Sequence, residues 1–331
     1  MPSSSAFAQI AASLPWLFPA VAFLVGACVG SFLNVIIYRL PAGESIVRPG
    51  SHCACGAPIA WYDNLPILSW LVRRGRARCC GRPFSFRYPV VELLTALGFL
   101  ACWRLFSPAH AVCGWIFLSG LIAAAFIDLD HMMIPDIFSL GLGILGVVLS
   151  LLVPSLHGQG GGYFALDSLH SGAEALLGLL LGSGLVLWIA VLAEAVLKKE
   201  AMGLGDVKFA GAIGAFCGWH GALFALFGGA VLGTVWLGLF LLGRKIFRPF
   251  LSSAPRSSGA EPASLNAEPP SLNAEPASLN AEPALLNTEP APLSIGARVP
   301  FGPMLAAGGA LYFLALHGPV DAWFAKFTEL F

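Results

Sequence analysis

Apolar runs long enough to cross a bilayer recur along almost the whole chain. They lie near residues 16–38, 89–105, 111–127, 137–153, 173–197, 207–243 and 300–317. A membrane-spanning helix needs ~20 such residues. Of the 331 residues, 57% are hydrophobic and only 11% are charged, against roughly 25% charged in a soluble domain. The mean hydropathy of +0.79 agrees. The bilayer is therefore the expected solvent, and the expected fold class is an all-α integral membrane protein. The run 207–243 is too long for one ordinary span. Gly218-Trp219-His220-Gly221 reads as a turn that splits it, which gives about eight transmembrane helices.

Charge placement orients these helices. Between residues 39 and 88 stand Arg39, Arg48, Arg73, Arg74, Arg76, Arg78, Arg82 and Arg87, against only Glu44 and Asp63. The positive-inside rule makes this segment cytoplasmic. Counting onward, Asp128 and the Lys198-Lys199 stretch fall on the same side, and splitting 207–243 puts Arg244, Lys245 and Arg248 there too. Both termini then face out. The N-terminus lacks the basic region of a cleaved signal peptide, so the first apolar stretch is expected to stay as a helix. A formal net charge of zero removes any global attraction to nucleic acid.

The expected organisation is a first transmembrane helix over 1–38, a cytoplasmic cysteine loop over 39–88 and a transmembrane core over 89–243. A cytoplasmic linker over 244–298 and a last helix with its tail over 299–331 follow. The linker holds a seven-residue unit written as AEPASLN, AEPPSLN, AEPASLN and AEPALLN. Proline in every unit blocks helix propagation, and the few leucines cannot build a core. The glycine-rich stretch 158–162 reads as an outside loop.

Two acidic motifs stand at helix ends on one membrane face. One is Phe126-Ile127-Asp128-Leu129-Asp130-His131-Met132-Met133-Ile134-Pro135-Asp136, the other Gly203-Leu204-Gly205-Asp206-Val207-Lys208. Carboxylates beside an apolar span are costly and point to function. Asp130 and Asp136 read more plainly as solvated ends or caps. Gly203 and Gly205 remove side chains next to Asp206, which leaves room for another backbone, and a peptide substrate needs that room. Two carboxylates sharing a water can hydrolyse a peptide bond, one ionised and one protonated. No serine-nucleophile motif or His-Glu metal helix competes.

The segment Ala201–Ala215 (AMGLGDVKFAGAIGA) resembles the signature of bacterial type IV prepilin leader peptidases, within the wider Gly-x-Gly-Asp intramembrane aspartic peptidases. In that family the first catalytic Asp stands six residues before an Ile/Leu-Pro pair, as Asp128 stands before Ile134-Pro135, so the resemblance implies Asp128 and Asp206 as the catalytic pair. Residues two apart on a helix point in different directions, so only one of Asp128 and Asp130 is expected to face Asp206. Gly203, Gly205 and Lys208 are the expected substrate-access and backbone positions. Gly30–Pro41, Asn64–Leu71, Phe86–Leu93 and Val299–Ala306 also resemble family segments. The resemblance implies prepilin or pseudopilin precursors as substrates, cleaved at the cytoplasmic face of the inner membrane. It also implies N-methylation of the new N-terminus from S-adenosylmethionine, although no Rossmann-type glycine fingerprint follows a strand. The products would enter a type IV pilus or a type II secretion assembly.

Many members of the family carry two Cys-x-x-Cys pairs in the large loop, an arrangement suited to zinc. Here Cys53, Cys55, Cys79 and Cys80 occupy that loop with altered spacing, and His52 stands as a possible substitute ligand. A metal clip would order a loop this polar; free or redox-labile thiols are the alternative. Cys28, Cys102, Cys113 and Cys217 sit in apolar runs as core or lipid-facing residues. Two other readings stay open, an intramembrane aspartic peptidase with different substrates and a carboxylate-coupled transporter. Against the transporter stand the lack of a repeat among the helices and the position of both acids at one face.

Overall fold

The computed structural model describes residues 9, 12–53, 55–198, 202–251 and 300–328. Among them the helices, in chain order, are α1 (Leu17–Arg39), α2 (Leu68–Arg73), α3 (Arg87–Leu105), α4 (Pro108–His131), α5 (Leu142–Leu152), α6 (Phe164–Leu197), α7 (Leu204–Leu251), α8 (Gly302–Leu311) and α9 (His317–Thr328). A wider π-type turn, Ile137–Gly141, leads into α5, and another, Tyr312–Leu316, joins α8 to α9. The described residues form no strand. Six helical stretches are long and apolar enough to cross a membrane, and Ile137–Leu152 is a shorter apolar one. The chain is an all-α, multi-pass membrane protein.

α7 contains the expected break. Gly218 adopts φ 66° and ψ −178°, outside helical space. The chain reverses there, because a Cβ placed on Gly182 of α6 would lie 2.7 Å from the Ala210 carbonyl oxygen and 3.2 Å from the Ala222 methyl. Twelve residues of straight helix span about 18 Å, so Ala210 and Ala222 meet one glycine only if α7 doubles back. α8 reads the same reversal, since Gly309 touches Ile213 while Gly308 touches Ala225. The long run therefore forms a hairpin of two antiparallel limbs. A positive φ is where glycine carries no Cβ penalty, which explains the residue at the corner.

Close backbone approach sets the rest of the packing. Without a hydrophobic drive between helices in lipid, small residues let backbones touch. Gly178 of α6 and Gly214 of α7 lie so near that a Cβ on either would collide with the other's carbonyl. α1 lies along α3 in the same way, with Gly30 against the Cα of Glu92. The main core gathers Phe117, Leu121, Ile213, Phe216, Leu305 and Phe313 from α4, α7 and the last helices. The Phe117 and Phe216 rings stack at 4.7 Å. Cys102, Cys113 and Cys217 are buried, whereas Cys28 is exposed on α1.

Two helices run further than hydropathy alone predicts. α6 begins at Phe164 rather than 173. Asp167, Ser168 and His170 interrupt the apolar count but not the helix, and Asp167 stands in its first turn, where a carboxylate suits the positive end of the helix dipole. The last helical stretch continues to Thr328 rather than 317. Asp321 anchors it, accepting the Tyr312 hydroxyl at 2.6 Å and facing His220 at 3.1 Å. Leu237–Val299 is a separate unit, of which Leu237–Leu251 is helical. The seven-residue repeats, Lys199 and Ala201, the first residue of the signature segment, lie outside the described residues.

Candidate active site

Asp128 lies in the last turn of α4 and is buried at 6% exposure. After His131 the helix ends on Met132, which adopts the left-handed conformation (φ 54°) and donates its N–H to the Asp128 carbonyl at 2.9 Å. A left-handed residue other than glycine is uncommon. The turn it makes carries Ile134 back toward the helix it has just left. Asp206 lies in the first turn of α7, its N–H donating to the Gly203 carbonyl at 3.2 Å.

Ile134 connects the two acids. A Cβ on Gly205, next to Asp206, would stand 3.4 Å from the Ile134 Cβ. One on Gly302, at the start of α8, would stand 3.0 Å from the Ile134 Cδ1 and 2.7 Å from Asp128 Oδ2. Asp206 is near enough to Asp128 to feel its charge. The backbone beside Asp206 and the glycine that holds Asp128 thus meet around one apolar side chain. The Gly302 N–H donates to Asp128 Oδ2 at 3.1 Å, so the amino end of α8 fixes the orientation of one of them. That role was invisible in the chain order, because 174 residues separate the partners.

Helical geometry separates Asp128 from Asp130, about 200° apart at ~3.6 residues per turn. Asp128 turns inward, whereas Asp130 pairs with Arg87 at the start of α3. Asp136 pairs with Lys208 at 2.7 Å. Both acids are exposed at helix ends, as the sequence suggested, and each also pairs with a basic residue of another helix. Gly203 is exposed, and a Cβ there would meet only Asp206 Oδ2, at 3.8 Å, and the Gly205 nitrogen.

Outside the spans, the four loop cysteines form one cluster with all four Sγ atoms within 4.8 Å of one another. Two tight turns supply them. Cys53 N–H donates to the Ala57 carbonyl and Gly56 N–H to the Cys53 carbonyl, while Ala77 N–H donates to the Arg82 carbonyl and Gly81 N–H to the Ala77 carbonyl. Gly56 and Gly81 take positive φ at matching places. Across the turns, Cys53 Sγ lies 3.6 Å from Cys80 Sγ, and Cys55 Sγ 3.2 Å from Cys79 Sγ. A tetrahedral site with Zn–S of ~2.3 Å has S···S edges of about 3.8 Å, so the cluster fits a tetrahedral metal after small adjustment. The Ala57 N–H and the neighbouring thiols pull the Cys55 thiol down to about 7, and Cys79, hydrogen-bonded to Cys55 and Cys53, is pushed up to about 12. The His52 Nδ1 sits 3.0 Å from the Gly50 carbonyl, outside the four-sulfur cluster. Arg39, buried at the end of α1, donates to the carbonyls of Ser45, Pro49 and Gly50 and so holds the entry to this lobe.

Residues 24–106 match the bacterial peptidase A24 N-terminal domain, and residues 115–238 match the type IV leader peptidase family. A relative named prepilin leader peptidase/N-methyltransferase from Aeromonas hydrophila is 36% identical, over 71% of this chain and 85% of its own length. The chain belongs to the type IV leader peptidase family. A member of the same name from Klebsiella pneumoniae is 38% identical, over 64% of this chain and 90% of its own. One from Myxococcus xanthus is 41% identical, over 67% of this chain and 64% of its own, so the chain spans just under two thirds of that relative. No solved structure gives a significant match. Within this leader peptidase, the N-terminal family match contains α1, the cysteine lobe and α3, and the second match contains both converging aspartates.

Proposed function

We propose that this leader peptidase is an aspartic endopeptidase that removes the basic leader of type IV prepilins or pseudopilins at the cytoplasmic face of the inner membrane. The observation that carries the reading is the meeting of Asp128 and Asp206, from two separate helices, around Ile134. In this reading the pair holds one proton between them. The ionised carboxylate takes a proton from the attacking water, and the protonated one donates to the carbonyl oxygen of the scissile bond. The Gly302 N–H keeps Asp128 aimed. The exposed backbone at Gly203 admits the substrate strand, while Gly205 is packed against Ile134 and sets the position of the Asp206 turn; the substrate's apolar stem partitions among the spans. Lys208, held by Asp136, borders this entry. Both termini face away from the catalytic side.

The family relationship extends the reading to N-methylation of the newly exposed N-terminus. S-adenosylmethionine would supply the methyl group, which passes from its sulfonium to the α-amine as the amine loses a proton. The described residues hold no strand-to-helix glycine turn of the Rossmann kind. The open cavity of about 310 Å3 beside the cysteine lobe is lined by Pro49, Gly50, Ser51, His52, Gly56 and Pro58. None of these is an acid that could hold ribose hydroxyls, so support for methylation comes from the family and not from a donor pocket. In the lobe over 39–88, Cys53, Cys55, Cys79 and Cys80 would hold zinc, which supplies a structural clip and no chemistry to the peptide bond.

The deciding experiment is cleavage of a purified prepilin by the detergent-solubilised protein beside Asp128→Asn and Asp206→Asn. The parent cuts and both variants, still folded, leave the precursor whole. Full processing by either variant refutes the catalytic assignment. A folded parent that leaves prepilins uncut moves the reading to an aspartic peptidase with other substrates.

A further inference from the structure

The cysteine lobe carries a surface that neither the paired acids nor the thiol cluster explains. α2 presents Leu68, Leu71 and Val72 at i, i+3 and i+4, one face of a helix. They are 58%, 57% and 81% exposed. The opposite face is occupied, with Trp70 packed edge-on against Phe86 at 5.1 Å and lying over Gly75. Exposed basic residues stand close to this helix in the lobe. Arg74 and Arg76 follow α2 directly, and Arg82 stands across the turn from Ala77. Among the described residues no acid pairs with these three, because Asp63 is taken by Arg73 and Arg78. The segment 39–88 has eight arginines and two acids, a net charge of +6.

The height of α2 is fixed by a hydrogen bond. The Ile67 N–H, at its amino end, donates to Glu92 Oε2 at 2.7 Å. Glu92 lies five residues into α3, about 7.5 Å from its start at ~1.5 Å per residue. It also packs against Gly30, nine residues before the end of α1, or about 13 Å. The amino end of α2 is therefore tied to a point about 1.4 turns inside α3 and about 2.5 turns inside α1. The headgroup layer is about 5–7 Å deep on each side, and interfacial helices bury an apolar face about 5–10 Å into that boundary. With the ends of the two spans at the membrane surface, α2 would lie at this depth.

We propose that the cysteine lobe docks on the anionic leaflet of the membrane, with Leu68, Leu71 and Val72 in the acyl boundary and Arg74, Arg76 and Arg82 on lipid phosphates. A basic leader is repelled by a +6 lobe, which leaves an anionic surface as the matching occupant. The docking braces α2, and through Ile67 and Glu92 the α1–α3 pair. It rests on the membrane-spanning fold and not on the peptidase chemistry, so a failure of cleavage and a failure of docking are read separately.

The test uses the full chain in nanodiscs of phosphatidylcholine, with or without phosphatidylglycerol. A photoreactive benzoylphenylalanine replaces Val72, and in a control chain Glu44, an exposed lobe residue off the α2 face. The expected result is lipid adducts at Val72, several-fold above those at Glu44 and several-fold higher with phosphatidylglycerol. The increase disappears when Arg74, Arg76 and Arg82 are replaced together by Gln. Equal yields at both positions, no dependence on phosphatidylglycerol, or cross-links to a second copy or to an added prepilin instead of lipid would each overturn the proposal. Cleavage by the Val72 variant, measured in the same samples, shows that the chain is folded.

Discussion

Replacing Gly302 with alanine tests how tightly the site is set. The Cβ would fall 2.7 Å from Asp128 Oδ2 and 3.2 Å from its carboxyl carbon, with the Ile134 Cδ1 at 3.0 Å on the other side. The first is closer than real Cβ atoms come and the other two are tighter than most, so the Asp128 carboxylate moves by about half an ångström or leaves its rotamer, at ~0.5–1.5 kcal/mol. The Gly302 N–H survives the substitution, so position changes and the donor does not. A misplacement of ~1 Å near reacting groups costs on the order of 100-fold. About half that distance is therefore worth on the order of tenfold, or ~1.4 kcal/mol of barrier. Overpacking costs a further ~1–3 kcal/mol of stability, which is why the rate must be referred to folded protein. The assay is the time course of prepilin cleavage in detergent, normalised to the folded fraction. A Gly302→Ala protein that cleaves at the parental rate per folded molecule would refute the claim that this backbone aims Asp128.

Gly178→Ala places a Cβ against the Gly214 carbonyl, where two backbones touch, and is expected to lower thermal stability by ~3 kcal/mol or more. Gly184→Ala in the same helix meets nothing and is expected to be neutral or stabilising by ~0.5–1 kcal/mol; equal unfolding midpoints for the two would contradict the packing account. In metal-free protein, iodoacetamide near pH 8 is expected to label Cys55 before Cys79, since the thiolate is the reactive form and Cys55 ionises near 7 whereas Cys79 stays protonated until about 12. Lowering the pH below 7 slows Cys55 labelling about tenfold per unit, and bound zinc protects it. Uniform labelling by peptide mapping would count against the cluster.

Much of this arrangement is legible residue by residue. The break in α7 is written in Gly218-Trp219-His220-Gly221, because two spans cannot be joined without a turn and glycine reaches the backbone conformation that turn requires. The inward direction of Asp128 and the outward one of Asp130 follow from a spacing of two on a helix. The start of α6 and the end of α9 are less legible, because hydropathy counts apolar residues while helices continue through polar ones that find a cap or a partner, as Asp167 and Asp321 do.

The sequence by itself determined the membrane class and the number of apolar segments, and it marked which acids and thiols are out of place. Each of these is a sum over neighbouring residues, and hydropathy and helical period are local quantities. Only the tertiary structure decided that the Gly302 N–H meets Asp128, that Ile134 touches both Gly205 and Gly302 and that four unevenly spaced thiols close on one point. It alone tied the amino end of α2 to α3 through Ile67 and Glu92. These contacts join residues that lie far apart along the chain. Their distances depend on how whole helices pack, and no local pattern carries that information.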